Sequence, residues 1–255
     1  MEYMSDTPNS LTSPECLTID GYAITVQRMR RAATQSIVLV HGIGVSSRYF
    51  VPFAEELAKH YDVSILDLPG YGTAPDPAHT LSITELGGVV AKYAQSLRGG
   101  PVVLIGHSMG CQIIAHSVRR DPESCRRLIL LGPTVNKWER SRRIQAWRLL
   151  QDVLREPPRV SLLVFGDYLR MGVGRYLRTS RSMIEDKIEE TLAGCAIPAL
   201  IVRGMRDSIV PSGWTRYLQG QMKHAALVEI PGAPHVVQFK RPAELADVCR
   251  DFIDA

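Results

Sequence analysis

The chain has 255 residues, of which 45% are hydrophobic and 22% charged, the balance of an ordinary water-soluble protein with room for one large α/β domain or two small ones. No apolar run approaches the roughly 20 residues that a membrane-spanning helix needs. The five cysteines (16, 111, 125, 195 and 249) show no CxxC or other ligand-like spacing, which argues against a metal site and, being odd in number, against a disulfide frame.

The formal charge of +4 is local. Residues 134–190 hold 12 of the 30 Lys and Arg and 8 of the 26 Asp and Glu, so the rest of the chain is balanced. With no nucleic-acid-binding motif beside it, that excess does not predict a nucleic-acid partner.

From the N-terminus, residues 1–16 (MEYMSDTPNSLTSPEC) lack the basic start and apolar core of a secretory signal, and read as a polar, mobile arm on a cytoplasmic protein. LTIDGYAITVQRM places Asp-Gly between alternating residues, the pattern of an antiparallel hairpin. Short apolar, β-branched runs then recur: SIVLVHG from 36, DVSILDLPG from 62, PVVLIGHS from 101, RRLILLGP from 126, PALIVRG from 198 and AALVEIPG from 225. Continuous apolarity bounded by Gly or Pro suits strands buried on both faces of a parallel sheet. Amphipathic segments near 48–60, 82–98, 108–120, 213–222 and 241–253 alternate with them, which predicts a doubly wound, mostly parallel α/β sheet. Residues 17–133 and 195–255 form this core. Residues 134–194 break the alternation with a helical pattern interrupted by Pro157-Pro158, too long for a loop, and are expected to form an inserted helical cap.

Ligands of open parallel sheets bind beyond the carboxyl ends of the strands. At one such end, VVLIGHSMG puts Ser108 on a strand-to-helix corner between Gly106 and Gly110. A G-x-S-x-G corner forces the serine into a strained conformation with its oxygen exposed above the sheet. A serine hydroxyl needs a base. Of seven histidines, His235 in PGAPHVV follows strand LVEI and reaches the same edge. His60, His79 and His224 read as surface residues, His116 lies two turns down the helix, His107 leaves the corner in another direction, and His41 braces its loop. Asp207 in RGMRDSIVP, one strand earlier, is the acid expected to orient His235, with Asp67 in LDLPG read as a turn builder. Two backbone amides are expected to form an oxyanion hole, those of Met109 and of Ile43 in the loop His41-Gly42-Ile43-Gly44.

Taken in order, HGIG, DLPGYG, GHSMG, RGMRDSIVP and PGAPH resemble the α/β-hydrolase superfamily from residue 36 onward. The resemblance implies Ser108, Asp207 and His235 as triad, Ile43 and Met109 as oxyanion donors, 134–194 as cap, and no cofactor or metal. Serine at the corner argues against epoxide hydrolases and haloalkane dehalogenases, whose nucleophile is a carboxylate. His107 and Val236 stand where the carbon–carbon bond hydrolases usually carry Asn and Trp. The expected reaction is therefore hydrolysis of a carboxylic ester, thioester or lactone, the alternatives being acyl transfer, cyclisation or thioesterase action on carrier-linked acyl groups. A dinucleotide-binding oxidoreductase is a remote alternative, because GIGVSS follows a strand but lacks the third glycine.

The cap is rich in large apolar residues. Most should fix it to the core, and the rest should line an acyl or aromatic pocket, with Trp138, Trp147, Phe165, Tyr168 and Met171 as candidates together with Val236. KWERSRRIQAWR, which begins at Lys137, holds five basic residues and one acidic. It reads either as a solvated helix face or as a docking patch for an acyl carrier protein or a coenzyme A thioester.

Overall fold

Strands β1 (Glu15–Ile19) and β2 (Tyr22–Met29) open the chain as an antiparallel hairpin. Its turn residues Asp20 and Gly21 both adopt positive φ (53° and 82°), as a right-twisted two-residue connection requires. The computed structural model describes residues 11–31, 33–141, 143–145, 147–148, 166–168 and 170–255. Against the expected arm of 16 residues, Glu15 and Cys16 already belong to β1. They pair with Val26 and Thr25, and the Glu15 carboxylate meets Arg28 across the hairpin.

β3 (Ser36–Val40), β4 (Asp62–Asp67), β5 (Val102–His107), β6 (Cys125–Leu131), β7 (Ala199–Gly204) and β8 (Ala225–Ile230) complete one eight-stranded sheet in the order β1-β2-β4-β3-β5-β6-β7-β8. β3 through β8 pair in parallel, whereas β2 pairs antiparallel with β4. The central strands alternate between two cores. Val38, Val40, Val102 and Leu104 face one side; Ile37, Leu39, Val103 and Ile105 face the other. Both faces being apolar explains why these strands read as unbroken hydrophobic runs rather than as alternating ones.

α1 (Val51–Leu57), the short α7 (Val237–Lys240) and α8 (Pro242–Asp254) cover one face, with Phe53, Leu57, Val237, Leu245 and Cys249 in its core. α2 (Ile83–Ser96), α3 (Met109–Arg120) and α6 (Ser212–Gln219) cover the other. α2 begins where a capping box predicts: the Ser82 hydroxyl accepts from the Glu85 amide and the Glu85 carboxylate accepts from the Ser82 amide. α1 is shorter than its amphipathic pattern, because Ser47–Phe50 form a 3-10 turn and Pro52 sits at the helix start. Between β6 and β7 the described residues include α4 (Val173–Glu185) and α5 (Ile188–Thr191).

The chain leaves β3 toward β4 with α1 on one face, and then passes β3 to reach β5 with α2 on the other. The direction of winding therefore reverses beside β3 and β5. A crevice opens at such a reversal. The loop after β3 and the corner after β5 are the segments that border it.

Candidate active site

Ser108 lies between the last residue of β5 and the first of α3, with φ 56° and ψ −118°. Apart from Asp20 in the hairpin turn, it is the one non-glycine residue among those described with positive φ. Two glycines make the corner possible. A Cβ at Gly106 would lie 2.5 Å from the Gly110 carbonyl oxygen, and one at Gly110 would lie 2.2 Å from that of Val40. The Ser108 hydroxyl does not cap α3, so it is not consumed by the helix it precedes. Beneath the corner the Cys111 thiol donates to the Gly106 carbonyl (3.1 Å), and burial pushes its pKa well above the usual thiol value, which leaves it inert.

Asp207 and His235 come together as a buried pair. His235 Nδ1–H donates to Asp207 Oδ2 at 2.7 Å, and the two residues are 4% and 6% exposed. The other carboxylate oxygen of Asp207 accepts from the amides of Ile209 and Val210, both at 2.8 Å. Arg203, at the end of β7, anchors this loop from below. Its Nε–H donates to the Val210 carbonyl (2.7 Å) while the guanidinium pairs with Glu229 (2.6 Å), and that pairing holds the Glu229 carboxyl below its usual range.

Ser108 joins the pair at the end of β6. Its amide donates to the Leu131 carbonyl at 2.9 Å. At the next residue, Gly132 (φ 53°), a Cβ would stand 3.0 Å from the His235 ring and 3.3 Å from Asp207 Oδ2. The Leu131-Gly132 corner thus adjoins Ser108, Asp207 and His235, and a side chain at 132 would be strained by its positive φ and would need the ring to give by a few tenths of an ångström.

The loop after β3 closes the other side. A Cβ at Gly42 would lie 3.2 Å from Ser108 Cβ. The next residue is Ile43. Met109, the other expected donor, is the first residue of α3, where helix amides point outward with no intrahelical acceptor. His41 accepts from the Leu68 amide through Nε2 (3.2 Å), and its ring is kept neutral mainly by burial. Asp67 builds its turn as expected, accepting from the amides of Ser47 (2.6 Å) and Thr73 (2.9 Å).

The pocket candidates divide. Tyr168 lies over Gly44, where a Cβ would fall 2.3 Å from its ring, and the neighbouring Asp167 accepts from Ser46 Oγ (2.6 Å) and pairs with Arg48. Val236 is buried directly after His235, and Met171 is buried in a core cluster. Trp138 and Trp147 are instead each 59% exposed. Trp138 presents its edge to Trp214 and Tyr217 of α6, under the Lys137 ammonium, because that pair of rings offers it an aromatic surface outside the site. Phe165, Leu150 and Leu169 lie outside the described residues, as do Arg142 and Pro157-Pro158.

Within the basic stretch, Arg140 pairs with Glu189 (2.6 Å) and Arg148 with Glu139, so two of its cations are engaged internally. His116 points away from the corner and bonds Asp186 at 2.6 Å, at the edge of a separate cleft of about 520 Å³ that includes none of the residues above.

Sequence reasoning missed Asp167 and Arg203. Only Arg203 left a signal, since a charge inside a run as apolar as ALIVRG must have a partner.

The family model described as "Alpha/beta hydrolase family" matches residues 37–248. Among curated relatives, an uncharacterized hydrolase of Bacillus subtilis, YugF, is 24% identical, covering 92% of this chain and 96% of its own. The pimeloyl-[acyl-carrier protein] methyl ester esterase of Yersinia enterocolitica is also 24% identical, covering 85% and 92%. Among solved structures, the enol-lactonase from Burkholderia xenovorans LB400 superposes with a TM-score of 0.80 at 20% identity, over 94% of this chain and all of that one. The chain belongs to the alpha/beta hydrolase family.

Proposed function

We propose that this hydrolase cleaves a carboxylic ester, or the related bond of a lactone or thioester, through an acyl-Ser108 intermediate. The observation that carries the reading is the strained Ser108 corner, tied by its amide to Leu131, next to Gly132, whose position adjoins the buried, hydrogen-bonded His235–Asp207 pair.

In this scheme His235 Nε2 takes the Ser108 proton as Oγ attacks the carbonyl carbon. Asp207 holds Nδ1–H and stabilises the cation that results. The tetrahedral oxyanion accepts from the amides of Ile43 and Met109, the latter at the positive end of α3. The C–O or C–S bond to the leaving group then breaks as His235 returns the proton to it. Water, deprotonated by the same ring, releases the acid and restores Ser108. Tyr168 over the oxyanion loop, with Val236, supplies apolar wall for the acyl group, and residues 134–194 act as a cap held to that loop by Asp167.

Two relatives bear on the substrate. One is named for a methyl ester on a carrier-bound acyl chain and the other for an enol-lactone. Carrier linkage is the second reading, supported by the first of these names. It would draw on Arg143, an exposed cation of the basic stretch. A panel of aryl esters, lactones and acyl thioesters, tested with wild type and Ser108→Ala, discriminates among them. Ester hydrolysis that vanishes in Ser108→Ala supports the scheme, and full activity in that variant contradicts it. Acyl transfer to an added alcohol in place of water would identify a transferase.

A further inference from the structure

Tyr49 and His107 are both buried, 1% and 3% exposed, and neither has a part in the scheme above. The Gly42 amide lies 3.0 Å from Tyr49 Oη, which lies 2.9 Å from His107 Nδ1; His107 Nε2 lies 3.1 Å from the His235 carbonyl oxygen. For a neutral His107 ring, only one arrangement of protons satisfies every contact. The Gly42 N–H can only donate, so Tyr49 Oη accepts from it. The His235 carbonyl can only accept, so His107 carries its proton on Nε2. A neutral ring then leaves Nδ1 as acceptor, and the Tyr49 hydroxyl donates to it.

These four groups span the three loops that the reaction needs. Gly42 precedes Ile43, His107 precedes Ser108, and the last acceptor is the backbone of the base itself. The His107 and His235 rings also pack against each other, with centroids 4.6 Å apart. We propose that Tyr49 and His107 are positioning residues, a chain of ordered hydrogen bonds that fixes the oxyanion loop and the general base relative to the nucleophile. This rests on the serine-hydrolase reading of Ser108, Asp207 and His235.

Electrostatics agree with the geometry. Burial pushes the His107 pKa well below the usual imidazole value, and His235 pushes it the same way, so the ring stays neutral when His235 becomes a cation. Burial likewise holds the Tyr49 hydroxyl protonated. Among the described residues, those are the titratable groups that face His107, with Asp207 one step beyond through the His235 ring. A protonated His107 would place a second donor against Tyr49 and orphan the tyrosine proton in a dry site.

The test needs no variant to begin. Imidazole ¹⁵N–¹H correlation spectra of the full chain should show His107 as the neutral Nε2–H tautomer from roughly pH 5 to 9. An Nδ1–H tautomer, or titration of this ring within that range, overturns the proposal. Kinetics on a small ester follow. Tyr49→Phe should lower kcat by ~10- to 100-fold with KM within about twofold, the loss expected when reacting groups are misplaced by a fraction of an ångström to 1 Å. His107→Gln, which keeps a donor near the Nε2 position, should retain more activity than His107→Phe. The double variant Tyr49→Phe/His107→Phe should lose little more than His107→Phe alone, because the hydroxyl acts through the ring. Losses that multiply, or a Tyr49→Phe enzyme with wild-type kcat, contradict it. Ser108→Ala run alongside separates the two levels. If that variant is inactive while Tyr49→Phe is normal, only the positioning role fails; if it is active, the serine reading fails and takes the proposal with it.

Discussion

Gly106 and Gly110 flank Ser108 for a steric reason that can be measured. Gly110→Ala would drive a methyl group to 2.2 Å from the Val40 carbonyl, backbone that cannot swing aside. Overpacking of this kind destabilises by about 1–3 kcal/mol. Urea unfolding should show that loss, together with a drop in ester turnover because the corner itself must shift. Asp207→Asn makes no such clash. It should fold with an unchanged unfolding midpoint yet lower kcat by about 10⁴, since an amide favours the wrong His235 tautomer. A variant within a few-fold of wild type would move the acid role elsewhere. The exposed Trp147 gives the opposite expectation: Trp147→Ser should alter stability by no more than about 0.5 kcal/mol and leave small-ester turnover intact.

The loop after β7 owes its shape to Arg203, which bonds Val210 and Glu229, with Asp207 between Arg203 and Val210 in the chain. Arg203→Met keeps the length of the side chain and removes both bonds, so ester turnover should fall through Asp207 even though Arg203 touches no substrate. A pH signature separates the ion pair from packing. The folded pKa of Glu229 is depressed, so its stabilising contribution is present above the unfolded carboxylate value of roughly 4.3 and is lost as the pH falls below it. Chemical unfolding at a series of acid pH values should show that loss in wild type and a shallower one in Arg203→Met. Equal slopes would remove Glu229 from the explanation.

Elements were also where the sequence was most informative. Unbroken apolar runs identify the inner strands β3 through β7 because a strand buried on both faces needs apolar residues along most of its length, whereas β8 lies at the sheet edge and is only partly buried; the glycine spacing around Ser108 exposes the corner because nothing larger fits. The hydrogen bond of Ser46 to Asp167 joins residues 121 positions apart. No local pattern reports such a pair, and Tyr49, a tyrosine among other buried aromatics, looks like any core residue until His107 is beside it. Trp138 and Trp147 are exposed for a related reason. An aromatic on an amphipathic segment shows that some surface is apolar, not which surface it will meet.

For the whole molecule, the winding reversal beside β3 and β5 brings the loop after β3 and the Ser108 corner to the border of one crevice. The two faces are filled by different helices. β6, β7 and β8 then deliver Gly132, Asp207 and His235 in register along one sheet edge. Among the described residues no helix is long and apolar enough to cross a membrane. The most direct measurement is covalent trapping: a serine-reactive aryl phosphonate, followed by peptide mass spectrometry on wild type and Asp207→Asn. A single adduct on Ser108, formed far more slowly in Asp207→Asn, is the expected result. An adduct on any other residue, or labelling of Ser108 at the same rate in both proteins, would contradict a serine nucleophile activated by His235 and Asp207.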